Sequence, residues 1–134
     1  MLLMRKQKKR DTIMLVRYKK TCEKIAMGLL SFMPQEKDIK KLQETIHTYE
    51  NNPNWNLFMW KKDEDLVGLI GIETSEEICL IQHISVNPSH RGEGIGKEMV
   101  SKITQFLPCK EVRAAVSTKP FLDKCLKQQE GTDA

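Results

Sequence analysis

Ile84-Ser85-Val86-Asn87-Pro88-Ser89-His90-Arg91-Gly92-Glu93-Gly94-Ile95-Gly96-Lys97 begins as an apolar run, passes through turn-forming residues and ends in three glycines that alternate within five positions. Ile95, Met99, Ile103 and Phe106 then recur at helical spacing until Pro108, so the glycines sit between a strand and an amphipathic helix. A glycine-rich turn at a helix start aims several main-chain N–H groups and the positive end of the helix dipole at one place. Without Cβ atoms, the backbone there is open to an anion. The chemistry suggested is the cradling of a phosphate or pyrophosphate. Spacing excludes two common versions of it: a Walker A loop needs glycine where Arg91 stands and Ser or Thr where Glu98 stands, and a dinucleotide fingerprint needs glycine at Lys97. A merely structural strand-to-helix connection is the alternative.

Working upstream, residues 78–86 read as a strand behind the acidic turn Thr74-Ser75-Glu76-Glu77. Residues 55–60 and 66–72 read as a hairpin around the charged turn at 61–65. Cys22, Ile25, Ala26, Leu29, Leu30 and Met33 form one helical stripe that Pro34 ends, and Ile39, Leu42, Ile46 and Tyr49 form a second that runs out at Asn51-Asn52-Pro53. Residues 14–18 suit a short strand ahead of them. Downstream, 112–116 reads as a fifth strand and 120–127 as a last helix with Pro120 in its first turn. The expected order is β-α-α-β-β-β-α-β-α, an α+β domain around one mixed central sheet.

At 134 residues the chain suits a single domain able to bury a core without staples. Its cysteines, Cys22, Cys79, Cys109 and Cys125, form no CxxC pair and no Cys/His cluster, so neither a redox motif nor a metal site is indicated and a reducing, cytoplasmic setting is expected. The formal charge of +4 is accounted for by residues 1–13, where Arg5, Lys6, Lys8, Lys9 and Arg10 stand against Asp11. The rest, 14–134, is balanced, which argues against nucleic acid as a partner. The basic segment lacks aromatic interleaving and is expected to be a disordered extension or to precede the true start at Met14. Arg17, Lys19 and Lys20 break the apolar stretch behind it, and no run approaches the ~18 apolar residues of a membrane span, so neither a signal peptide nor a membrane partner is expected.

Arg91-x-x-Gly94-x-Gly96, preceded by Ile84-Ser85-Val86-Asn87-Pro88 and followed by the amphipathic helix, closely resembles motif A of the GNAT N-acetyltransferase family, and the element order over 14–128 resembles that fold. Within the family, stretches such as 24–34 and 82–94 are most similar to a small acetyltransferase encoded with riboflavin-biosynthesis genes of bacilli. The resemblance implies a GNAT-like acyl-CoA N-acyltransferase fold, truncated at the C-terminus, with acetyl-CoA as co-substrate and no metal. The pantetheine arm would lie along Ile84, Ser85 and Val86, and the pyrophosphate would meet the amides of Arg91, Gly92, Glu93, Gly94, Ile95, Gly96 and Lys97. Arg91 and Lys97 would add screened charge or serve simply as solvated helix-start residues.

The implied reaction is direct attack of an amine, from a small molecule or a protein, on the thioester. It requires a base and a proton for the departing thiolate. His83 on the fourth strand is the candidate base, with a packed strand histidine as the alternative. Strand alternation places Leu80, Gln82 and Ile84 on one face and Ile81, His83 and Ser85 on the other, unless a bulge intervenes. Glu73, at the end of the third strand, is a second candidate for recruiting or deprotonating the amine, or else an exposed strand-end carboxylate. The tyrosine many family members carry in the last helix is absent; Cys125 falls near its place, as a thiol donor or a core residue. His47 and His90 are expected at the surface, and the cluster at 55–60 in the sheet core with one aromatic near the acceptor cleft. An uncovered fifth strand predicts a homodimer. Acceptor turnover would separate an enzyme from a non-catalytic acyl-CoA-binding module.

Overall fold

The computed structural model describes residues 13–33, 38–107, 111–115 and 117–120. Five strands make one sheet in the order β1-β2-β3-β4-β5: β1 (Ile13–Arg17), β2 (Trp55–Lys62), β3 (Asp65–Thr74), β4 (Ile78–Val86) and β5 (Glu111–Ala114). Neighbours among the first four are antiparallel. β5 runs parallel to β4, as a connection through a helix requires. The helices are α1 (Glu23–Leu30), α2 (Ile39–Asn51) and α3 (Ile95–Phe106). Of the last expected helix, Lys119 and Pro120 are helical and the remainder, Cys125 included, lies outside the described residues, as does the basic segment at 1–12.

Local chemistry explains the element ends. The β2–β3 hairpin turns on Asp63, whose φ of 57° lies in the left-handed region that aspartate tolerates better than most residues. α2 starts at Asp38, whose carboxylate accepts a hydrogen bond from the Lys40 amide at 3.1 Å.

The sheet is covered on both faces. On one, Phe58, Trp60, Ile70, Ile72, Ile81, Ile84 and Val86 pack against Ile95, Met99 and Ile103 of α3. On the other, Leu57, Met59 and Leu69 pack against Ala26, Leu29 and Leu30 of α1 and Leu42, Ile46 and Tyr49 of α2. Gly68 lets α3 come close: a Cβ there would lie 3.2 Å from both Met99 Sδ and Trp60 Cβ.

Three members of the expected apolar stripes are solvent-exposed instead: Ile25, Ile39 and Phe106. Ile39 opens α2 and Phe106 closes α3, terminal positions with fewer neighbours. Ile25 is one residue from buried Ala26, a step of about 100° around the helix that carries it off the packed face. Cys79, fully buried on β4, is disulfide-bonded, which the cysteine spacing does not announce; Cys22 is free.

Candidate active site

β5 pairs with β4 only from Ile78 to Ile81. The Ile81 carbonyl then accepts both the Ala115 amide at 3.0 Å and the hydroxyl of buried Thr118 at 2.7 Å, which closes the ladder. Beyond it, among the described residues, the β4 main chain pairs with β3 alone, apart from a long 3.5 Å contact from the Ser117 hydroxyl to the Gln82 carbonyl. The parallel ladder therefore ends at Ile81, where β5 itself stops at Ala114.

A bulge coincides with the end of the ladder. His83 pairs with Gly71 and Ile81 with Ile72, so Gln82 is an extra residue on β4. Simple alternation is overturned here: Ile81 and Ile84 share the α3 layer, whereas alternation put them on opposite faces. His83 and Ser85 point to the α1/α2 side, where the Ser85 hydroxyl donates to the Leu29 carbonyl at 2.6 Å and His83 meets Tyr49 of α2. Gln82 Nε2 donates to Glu73 Oε1 at 2.9 Å. Gln82, His83 and Ser117 line a cavity of about 450 Å³ that Trp55 and Lys41, Glu44, Thr45 and Thr48 of α2 complete.

His83 is 8% exposed. Burial, reinforced by the nearby charge of Lys41, pushes its pKa down to about 4, so the ring is neutral at pH 7. A neutral imidazole has a lone pair to offer and costs little to keep in a half-enclosed wall. Glu73 is half-buried and stands beside the cavity, coupled to it by Gln82, rather than in its lining.

The glycine loop lies between β4 and α3. The Asn87 side chain accepts from the Ser89 amide at 2.9 Å, setting the turn at Pro88–His90. Gly92 and Gly94 have φ of 87° and 78°, and a Cβ at either would meet nothing within 4 Å, so glycine serves the left-handed backbone here rather than space. Gly94 is the N-cap of α3 and supplies no capping side chain. Glu93 is held by Lys62 Nζ at 2.7 Å and His90 Nδ1 at 3.4 Å; the Lys62 hydrogen bond chiefly lowers its pKa. Its charge is thus answered within the protein. Arg91 is exposed and Lys97 half-buried, as is His90, whereas His47 is exposed.

The sequence pattern of the Acetyltransferase (GNAT) family matches residues 23–123. The chain belongs to this family. A protein of Bacillus methanolicus described as an uncharacterized N-acetyltransferase in the lysA 3' region is 55% identical over 113 residues, 84% of this chain and 94% of that protein. Among solved structures, the GNAT fold here is similar to the aminoglycoside N-acetyltransferase AAC(6')-Iy, described in complex with CoA, with a TM-score of 0.71, 15% identity and coverage of 87% of this chain and 85% of that one. A possible acetyltransferase from Clostridium difficile 630 aligns with a TM-score of 0.72 at 12% identity, over 90% of each chain. The fold is therefore that of a GNAT N-acetyltransferase, a mixed α+β sheet with helices on both faces. No helix among the described residues is long and apolar enough to cross a membrane. No group of three His, Cys, Asp or Glu side chains among them is placed to hold a metal ion.

Sequence reasoning missed the α2 contribution to the GNAT cavity. Lys41, Glu44, Thr45 and Thr48 line it although no motif marks them, and Tyr49, which stands behind His83, reads in the sequence only as the last member of an apolar stripe. Trp55 is the aromatic expected near the cleft, half-buried in the cavity wall, while Trp60 is core.

The depressed pKa of His83 has a consequence for stability. Between its unfolded value of 6.5 and about 4, the unfolded chain binds this proton more readily, so the contribution is complete above pH 6.5 and is lost as pH falls toward 4. Urea denaturation of wild type and His83→Gln at pH 7 and pH 4.5 should show wild type losing about 2 kcal/mol more than the variant. Equal losses would show that the ring is not held neutral by burial.

Proposed function

We propose that this GNAT enzyme transfers the acetyl group of acetyl-CoA directly to an amine of a small metabolite or a protein, with the amine entering the cavity in front of His83. One coincidence supports this reading best: the β4–β5 ladder ends at Ile81, and a cavity walled by a neutral imidazole opens at the next residues, Gln82 and His83. In this reading the main chain of Ile84, Ser85 and Val86 receives the pantetheine arm as an added strand. The loop from Arg91 through Gly92, Glu93, Gly94, Ile95 and Gly96 to Lys97 receives the pyrophosphate, with Glu93 already neutralised by Lys62 and His90.

The amine nitrogen attacks the thioester carbonyl carbon, a C–N bond forms and the C–S bond breaks. CoA leaves as the thiolate, and the proton shed by the amine passes to His83 and on to the thiolate or solvent. Glu73, through Gln82, attracts the ammonium form of the acceptor, which gives one proton to solvent before the neutral amine attacks. Cys125, the other candidate proton donor, lies outside the described residues. A reaction drawing on acetyl-CoA belongs in the cytoplasm, and the resemblance to an acetyltransferase encoded with riboflavin genes proposes amine-bearing flavin precursors for the acceptor panel. β5 is the sheet edge among the described residues, with Val112 and Ala114 only half-buried, which supports a homodimer that covers it.

Acceptor-dependent release of free CoA across a panel of amines tests the reaction. His83→Ala should lower kcat by about 10² to 10⁴ and leave CoA affinity unchanged. CoA binding without turnover on any amine would instead make the protein an acyl-CoA-binding module. Acetyl-CoA at about 100 times its Kd should stabilise the fold by about 2.7 kcal/mol. Gly94→Val, which puts a β-branched residue at φ 78°, should remove most of that gain. Light scattering at micromolar concentration should give twice the chain mass; a stable monomer of 15.5 kDa, with or without CoA, overturns the dimer.

A further inference from the structure

The Tyr49 hydroxyl lies 2.5 Å from His83 Nδ1, a buried contact between residues 34 apart in sequence. The phenol ring is wedged edge-on between two others, 5.2 Å from the Trp55 ring at 68° and 5.5 Å from the His83 ring at 67°. Its seat is cut into β3. A Cβ at Gly71 would lie 1.9 Å from the Tyr49 hydroxyl and 2.4 Å from its Cζ, and Gly71 is the residue paired with His83. Gly71 is not among the positive-φ glycines, so backbone conformation does not call for glycine there; room for the phenol does. Three independent features thus converge on one contact: a tyrosine at the end of the α2 stripe, a missing side chain on β3, and a bulge that turns His83 toward both.

The geometry points to Tyr49 as the positioning residue of the acetyl-transfer site, holding His83 by Nδ1 and so fixing which face and which nitrogen of the ring address the acceptor cavity. This rests on the reading of His83 as the proton acceptor. Tyr49 stands behind the ring: His83 is part of the cavity lining and Tyr49 is not. For the neutral ring to take a proton at Nε2, Nδ1 carries the ring hydrogen and donates it to the Tyr49 oxygen, and proton exchange with the acceptor amine then runs through Nε2. The buried ring also loses freedom to rotate about its own axis, because the packed phenol and the hydrogen bond both resist the flip. Charged groups facing this unit are Lys41 and Glu44 from α2 and, across Gln82, Glu73 from β3.

Tyr49→Phe removes the hydroxyl and keeps the ring. We expect a loss of roughly tenfold or more in kcat with KM for acetyl-CoA unchanged, and no further loss when the change is added to His83→Ala, because both act through one imidazole. Gly71→Ala, which displaces the phenol, should reproduce the Tyr49→Phe kinetics. Nitrogen NMR of His83 gives a readout independent of turnover: one tautomer with a hydrogen-bonded Nδ1 in wild type, and an altered Nδ1 resonance or mixed tautomers in Tyr49→Phe. If His83→Ala is fully active, the base assignment fails. If His83→Ala is impaired while Tyr49→Phe is not, or the two losses multiply, or the wild-type Nδ1 resonance is that of an unbonded nitrogen, the positioning role of Tyr49 is overturned.

Discussion

Between Ile81 and Ile84, β4 places two residues where ordinary pairing with β3 would place one, and the site follows from that surplus. Because of it, Ile81 and Ile84 both reach the α3 core while Gln82 and His83 address the α2 side and its cavity. A strand without the bulge would have to give up one apolar anchor or turn His83 into the α3 layer. The same residues mark where β5 lets go. Ile81 is the last point of its ladder, secured by Ala115 and Thr118.

The surroundings of the bulge are rigid where chemistry needs fixed geometry. Ser85 is tied to the end of α1 through the Leu29 carbonyl, and Tyr49 presses into the space that Gly71 vacates. Burial keeps His83 uncharged, while Glu93 in the glycine loop is charged but answered by Lys62 and His90. The two regions therefore differ electrostatically: an uncharged ring at His83, and at Gly94 an uncapped helix start beside which the Glu93 carboxylate is engaged by Lys62 and His90.

Much of the fold is legible in the chain because it is written locally. The stripe of α3, the β2–β3 hairpin with its charged turn, the run of β4 and the glycines before α3 each depend on residues a few positions apart, and each appears where the periodicity places it. Prediction of side-chain facing is weaker. Ile25, Ile39 and Phe106 obey the helical period and are nevertheless exposed, because burial depends on what lies opposite the helix and not on the helix alone. Alternation along β4 fails for a related reason: a bulge is a relation between two strands and leaves no mark in either one.

From its amino acids alone, the protein's family was already legible: alternating glycines between an apolar strand and an amphipathic helix resemble the corresponding turn of GNAT acetyltransferases, and every residue of that pattern is local. Only the tertiary structure decided the cavity wall and the residues that support it from behind. Tyr49 and His83 are separated by 34 positions, and Gly71, Trp55 and Thr118 come from three further segments. Their meeting depends on strand register and on the docking of α2 across the sheet. Those are long-range consequences of packing the whole core, which no short window of residues contains.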